Sequence, residues 1–154
     1  MSHVRTTIRQ AVVATLIAAS TAAGSRVFDH PYNPRKTFPA LVVEDVGANF
    51  SDGNVTEVQD FQDLNANVER RYRFAVIAEI AQGADAAADR DDLIAEVEIA
   101  IAAASIAGVL GPIRPVAYQA ADNNDGEVPI RRGLQVFEAT YVTPLGDPST
   151  TTLS

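Results

Sequence analysis

Apolar positions along the chain follow two periods. Val4, Ile8, Ala11, Val12, Thr15 and Ala19 recur at the spacing of one helix face. They predict a first helix from about Val4 to Ala22, with Ser2 as its cap and Gly24 at its stop. Arg26 to Asp29 reads as a short extended piece. His30-Pro31-Tyr32-Asn33-Pro34 reads as a loop, because two prolines remove donors and hold the preceding residues extended. Thr37 to Val46 reads as a strand whose Pro39 lies near its start, where a ladder can spare an N–H. The polar stretch from Gly47 to Asn65 is expected to be a loop or a loosely paired arm.

The clearest alternation runs from Ala66 to Ala81. Val68, Arg70, Tyr72, Phe74, Val76, Ala78 and Ile80 share one face; Glu69, Arg71, Arg73, Ala75, Ile77 and Glu79 share the other. The first half is charged and the second apolar on both faces, so the second half is expected at the centre of a sheet with the first projecting beyond it. Asp85 to Ala107 reads as a second helix, with a core stripe of Ile94, Val97, Ile101 and Ala104 and Gly108 as its stop. Val109 to Tyr118 reads as a short edge strand broken by Pro112 and Pro115. Residues 121–126 read as a turn and Ile130 to Val142 as the last strand.

This order predicts an α+β fold: one domain over residues 1–143, a mostly antiparallel sheet with both helices packed on one face, and a polar C-terminal tail at 144–154. The other sheet face then needs cover. Tyr72, Phe74, Val76, Leu134 and Val136 are too apolar to leave one side of a small sheet in water, and a second copy of the chain is the expected cover.

Composition narrows the function. The charge of −8 argues against tight nonspecific binding to nucleic acid, which draws on a basic surface. The absence of cysteine removes thiol catalysis, thiolate metal sites and disulfides. The apolar run from Ala11 to Ala23 is too short to span a membrane and carries Thr15, Ser20 and Thr21. Arg5 and Arg9 ahead of it resemble the start of a signal peptide, but its amphipathic stripe reads as a folded helix.

No motif asks for chemistry. His3 and His30 lack ligand spacing, and the adjacent Asp29 and His30 side chains point apart. Asp89, Asp91, Asp92, Glu96 and Glu98 are best read as a solvated helix start facing the positive end of its dipole. Asp52-Gly53-Asn54 and Asp122 to Gly126 lack the glutamate that closes a calcium loop and read as turns. We therefore expect no catalytic residue, no metal and no cofactor. Arg70, Arg71, Arg73 and the pair Arg131-Arg132 are the only basic concentrations, and in an acidic chain they point to a protein partner or a solvated strand edge.

The chain resembles the tail terminator (tail completion) proteins of long-tailed phages, the family of the lambda minor tail protein U. The resemblance covers about residues 4 to 143. It rests on the leading helix, Arg26-Val27-Phe28-Asp29, Phe38-Pro39-Ala40-Leu41-Val42-Val43, Tyr72-Arg73-Phe74-Ala75-Val76, the acidic-capped helix and the final Tyr141-Val142. It implies a structural virion protein, made in the host cytoplasm, that forms a hexameric ring on the head-proximal end of a tail tube. Its partners would be other copies of itself, the tail tube protein and a neck or head-completion protein, with DNA passing the lumen without specific binding and no membrane. Within such a ring, Arg70, Arg71 and Arg73 are expected to meet Asp89, Asp91 and Asp92 of a neighbour. Asp52, Asn54, Asn123, Asp125, Arg131 and Arg132 are candidates for contacts with tube or neck. The alternatives are a head-completion or connector protein of the neck, or a small ligand-binding or hydrolytic α+β domain.

Overall fold

Helix α1 (Val4–Ala18) buries Val4, Ile8, Val12 and Leu16, one residue per turn, and its N-cap is His3 rather than Ser2. The Arg5 backbone N–H donates to His3 Nδ1 at 3.1 Å, which serves one of the unpaired amides of the first turn. The computed structural model describes residues 2–29, 37–46, 55–62, 66–81, 83, 85–123 and 130–152. The predicted loop at His30 to Pro34 lies outside them.

The helix stops at Ala18, short of the expected Ala22, because the chain turns at Ser20 with φ 52° and Thr21 is drawn into the interior. Strand β1 (Val27–Phe28) runs parallel to β2 (Ala40–Asp45), and β2 pairs antiparallel with β4 (Asn67–Ala81). The polar stretch contains a strand that alternation did not reveal. β3 (Glu57–Gln62) pairs antiparallel with the charged half of β4, from Glu57↔Tyr72 to Gln62↔Asn67.

Helix α2 (Ala86–Ala103) ends four residues before the expected Ala107. Ala104 is already extended, and Gly108 belongs to a later turn. β5 (Leu110–Asn123) is an edge strand, as expected, with register shifts around its two prolines, but it continues through positions read as a turn. β6 (Ile130–Pro144) pairs with β4 from Asn67↔Pro144 to Ala81↔Ile130. The sheet order is β1-β2-β4-β6-β5, with β3 beside the other half of the β4 edge that β2 occupies. Apart from the short β1–β2 pair, every pairing is antiparallel. The result is the α+β class expected.

Both helices lie on one face of the sheet, and the main core forms beneath them. α1 contributes Ile8, Val12 and Leu16, α2 contributes Leu93, Val97 and Ile101, and the sheet contributes Tyr72, Phe74, Val76, Phe137 and Tyr141. Phe74 and Phe137 stack with centroids 5.7 Å apart across the β4–β6 pair. This corrects the expectation that Tyr72, Phe74 and Val76 line the uncovered face; they are core beneath the helices. Val136 and the half-buried Leu134 do face the other way, in a smaller cluster with Val42, Val46, Ala75 and Ile77, but neither is exposed in the single chain. The Val4 N–H donates to the Pro148 carbonyl at 3.0 Å and the Thr152 N–H to the Val142 carbonyl at 2.9 Å, so residues 145–152 fold back along the body.

Candidate functional site

β3 is polar because one buried carboxylate holds it. The Glu57 side chain is only 4% exposed and accepts from Arg5 Nη1 at 2.7 Å, Arg70 Nη1 at 3.0 Å, Gln59 Nε2 at 2.6 Å and the Tyr141 hydroxyl. Burial raises its pKa. The bonds from Tyr141 and Gln59, the Arg5 charge and the Arg70 bond outweigh that and hold the carboxyl below its usual range. Arg70 also donates from Nε to Thr143 Oγ1 at 3.0 Å.

The three arginines of the charged half of β4 therefore have different situations. Arg70 faces the helix side and is committed to Glu57 and Thr143. Arg73 faces the other side and bonds Glu138, whose side chain is 5% exposed and also accepts from Arg114 at 2.7 Å. For Glu138 too, burial raises the pKa, and the bonds from Arg73 and Arg114 bring it below the usual range. Arg71 alone has an exposed partner, Asp60 at 3.4 Å, with Arg71 42% and Asp60 59% exposed.

A second network joins α1 to the sheet. Arg9 donates to Asp29 at 3.2 Å, to Asp45 at 2.8 Å and to the Tyr72 hydroxyl at 3.3 Å, while Tyr72 donates to Asp45. Burial and the bond to Asp45 push the Tyr72 phenol well above its usual pKa. The Val27-Phe28-Asp29 segment thus positions a counter-ion for the first helix.

Asp89, Asp91 and Asp92 are exposed at the start of α2, and Asp91 pairs locally with Arg90 at 3.4 Å. Asp89, Asp92 and Glu96 line a cavity of about 460 Å³ with Phe38, Pro39, Ile80 and Ala81. Within one chain the structure does not bring these aspartates to Arg70, Arg71 or Arg73. Arg132 bonds Glu79 through Nε at 3.0 Å and Nη2 at 2.9 Å, and Arg131 is its neighbour at the start of β6. Asn123 ends β5, while Asp52, Asn54 and Asp125 lie outside the described residues.

Among the described residues no group of three or more His, Asp or Glu side chains is placed to hold a metal ion, and no helix is long and apolar enough to cross a membrane. The charged groups form interlocking ion pairs that fasten elements together. Glu57 was not singled out in the sequence. The available signal was its place in a stretch that pairs with an arginine-rich strand, where a carboxylate facing Arg70 becomes interior.

No family model and no curated protein sequence matches the chain. Among solved structures, the fold is similar to that of a chain in the virion of the native gene transfer agent particle. The TM-score is 0.61 at 17% identity, covering 88% of this chain and 95% of that one.

Proposed function

We propose that this chain is a structural virion protein that closes the head-proximal end of a phage-type tail as a hexameric ring, stopping tube growth and joining tail to neck. The observation that carries this reading is the likeness to a virion chain over nearly the full length of both molecules. The order of elements and the Val27-Phe28-Asp29 and Phe38-Pro39-Ala40 segments, which resemble the tail terminators, agree with it. So does the use of charge: the buried Glu57 and Glu138 carboxylates are occupied by arginines.

In this reading the chain carries out no reaction. Its partners are copies of itself, the tube protein below and a neck or head-completion protein above. Arg71, on the sheet face away from the helices and with an exposed partner, is the β4 arginine best placed to reach a neighbour, since Arg70 and Arg73 are held within the chain. Asn123, Asp125, Arg131 and Arg132, with Asp52 and Asn54, are proposed to face tube or neck. The acidic balance of −8 lets DNA slide through the lumen.

Native mass spectrometry and electron microscopy of the purified protein, alone and with tail tubes, test the reading. A six-fold ring is expected. A twelve-fold ring identifies a connector instead, and a chain that stays single in both conditions rejects the ring. Deletion of the gene from its phage should give overlong tubes; tubes of normal, uniform length reject a terminator role.

A further inference from the structure

The sheet ends at β5 on one side and at β1 and β3 on the other. At β5 the first half is guarded by Pro112, Pro115 and two register shifts, the usual means of blocking strand addition. The second half, residues 116–121 (Val-Ala-Tyr-Gln-Ala-Ala), has neither charge nor proline, and β5 is paired only with β6 among the described residues. At the other side β3 is six residues long and pairs only with β4 among the described residues. Its outer edge is likewise unpaired among the described residues.

The register assigns faces to the side chains at these edges. Phe61 opposes Val68 and so lies on the helix face, and Tyr118 opposes Gln135 and lies on the same face. They are 55% and 42% exposed. Asp60 opposes Glu69 and Arg114 opposes Glu138, so both lie on the face away from the helices, 59% and 63% exposed. A continuous sheet keeps its faces from strand to strand. Joining β3 of one copy to residues 116–121 of the next therefore lets the exposed Phe61 and Tyr118 meet on the helix face, with Asp60 and, further along β5, the oppositely charged Arg114 on the other face.

We propose that copies of this chain associate head to tail through strand addition, the β3 edge of one protomer pairing with the 116–121 edge of its neighbour. An edge meeting a different edge is a heterologous contact, which closes into a ring when the rotation per subunit allows. The inference rests on the ring reading and supplies its subunit interface: main-chain hydrogen bonds give the affinity, while Phe61 and Tyr118 fix the pairing.

Two variants test it. Phe61→Lys sets a charge in the β3 edge, and Val116→Lys sets one in the β5 edge at a position without a partner on β6. Both sites are exposed, so each monomer should keep its circular dichroism spectrum; Gln119→Lys replaces Val116→Lys if that chain misfolds. Each variant alone should assemble about a hundredfold more weakly than the natural chain. Mixed in equal amounts they should form two-chain complexes in native mass spectrometry, because each retains the edge the other has lost. Rings of normal size and affinity from both variants would overturn the edge pairing and leave the ring reading standing. Weakened variants that fail to combine would also overturn it. A natural chain that stays single, alone and on tubes, would overturn both.

Discussion

Arg5, in the first turn of α1, donates across 2.7 Å to Glu57, the first residue of β3, fifty-two positions further along the chain. The bond ties the start of the molecule to its most polar strand, and Arg70 and Tyr141 complete the cage from β4 and β6. Replacing Glu57 with Gln keeps the shape but leaves two arginines facing a neutral group. Urea unfolding should show a loss of about 2 kcal/mol, with Arg5 contributing the smaller part because it is partly exposed.

Acid should unfold the protein through the same carboxylates. Glu57 and Glu138 both have their pKa lowered in the folded state. A lowered carboxyl pKa stabilises fully above the unfolded value of about 4.3 and is lost as pH falls through the folded one. Stability should thus be flat in this respect near neutrality and decline below about pH 4. In Glu57→Gln the decline should be shallower; an unchanged acid limb in denaturant titrations would show that Glu57 is not linked to it.

Arg71 and Arg73 should separate assembly from stability. Arg73→Glu sets a second anion beside the buried Glu138 and should cost about 3 kcal/mol of monomer stability. Arg71→Glu, at an exposed pair beside the β3 edge, should cost less than about 1 kcal/mol of monomer stability yet weaken subunit association. Thermal unfolding read beside native mass spectrometry at low salt distinguishes the two.

Gly108 should resist substitution for two reasons. Its φ is +85°, and an added Cβ would lie 2.7 Å from Thr151 Cγ2. Gly108→Ala should cost about 1–2 kcal/mol, and Thr151→Gly should relieve the steric part but not the backbone part. A double-mutant cycle measures the coupling; simple additivity would mean that residues 145–152 do not rest on this turn in solution.

Legibility of the fold followed side-chain periodicity closely. β4 was readable because its apolar half alternates against a sheet on both edges, and α1 because one face alone meets the core. β3 was not, since Gln59 to Gln62 are exposed and the one residue that anchors it is a glutamate, a type read as surface. The helix ends misled because Gly24 and Gly108, both at positive φ, serve turns beyond the helices rather than their caps. Among the interface candidates, Arg70, Arg71 and Arg73 looked alike as a charge run. Only the register of β3 and β6 against β4 separates two internal ties from one exposed pair.

β4 and β6 lie side by side in opposite directions along fifteen residues each, and all the remaining strands except β1 hang from one or the other. A pull directed along these strands meets the whole ladder in shear, so its cross-links must fail together rather than one after another. A chain built this way should therefore yield least to a force applied along that one axis.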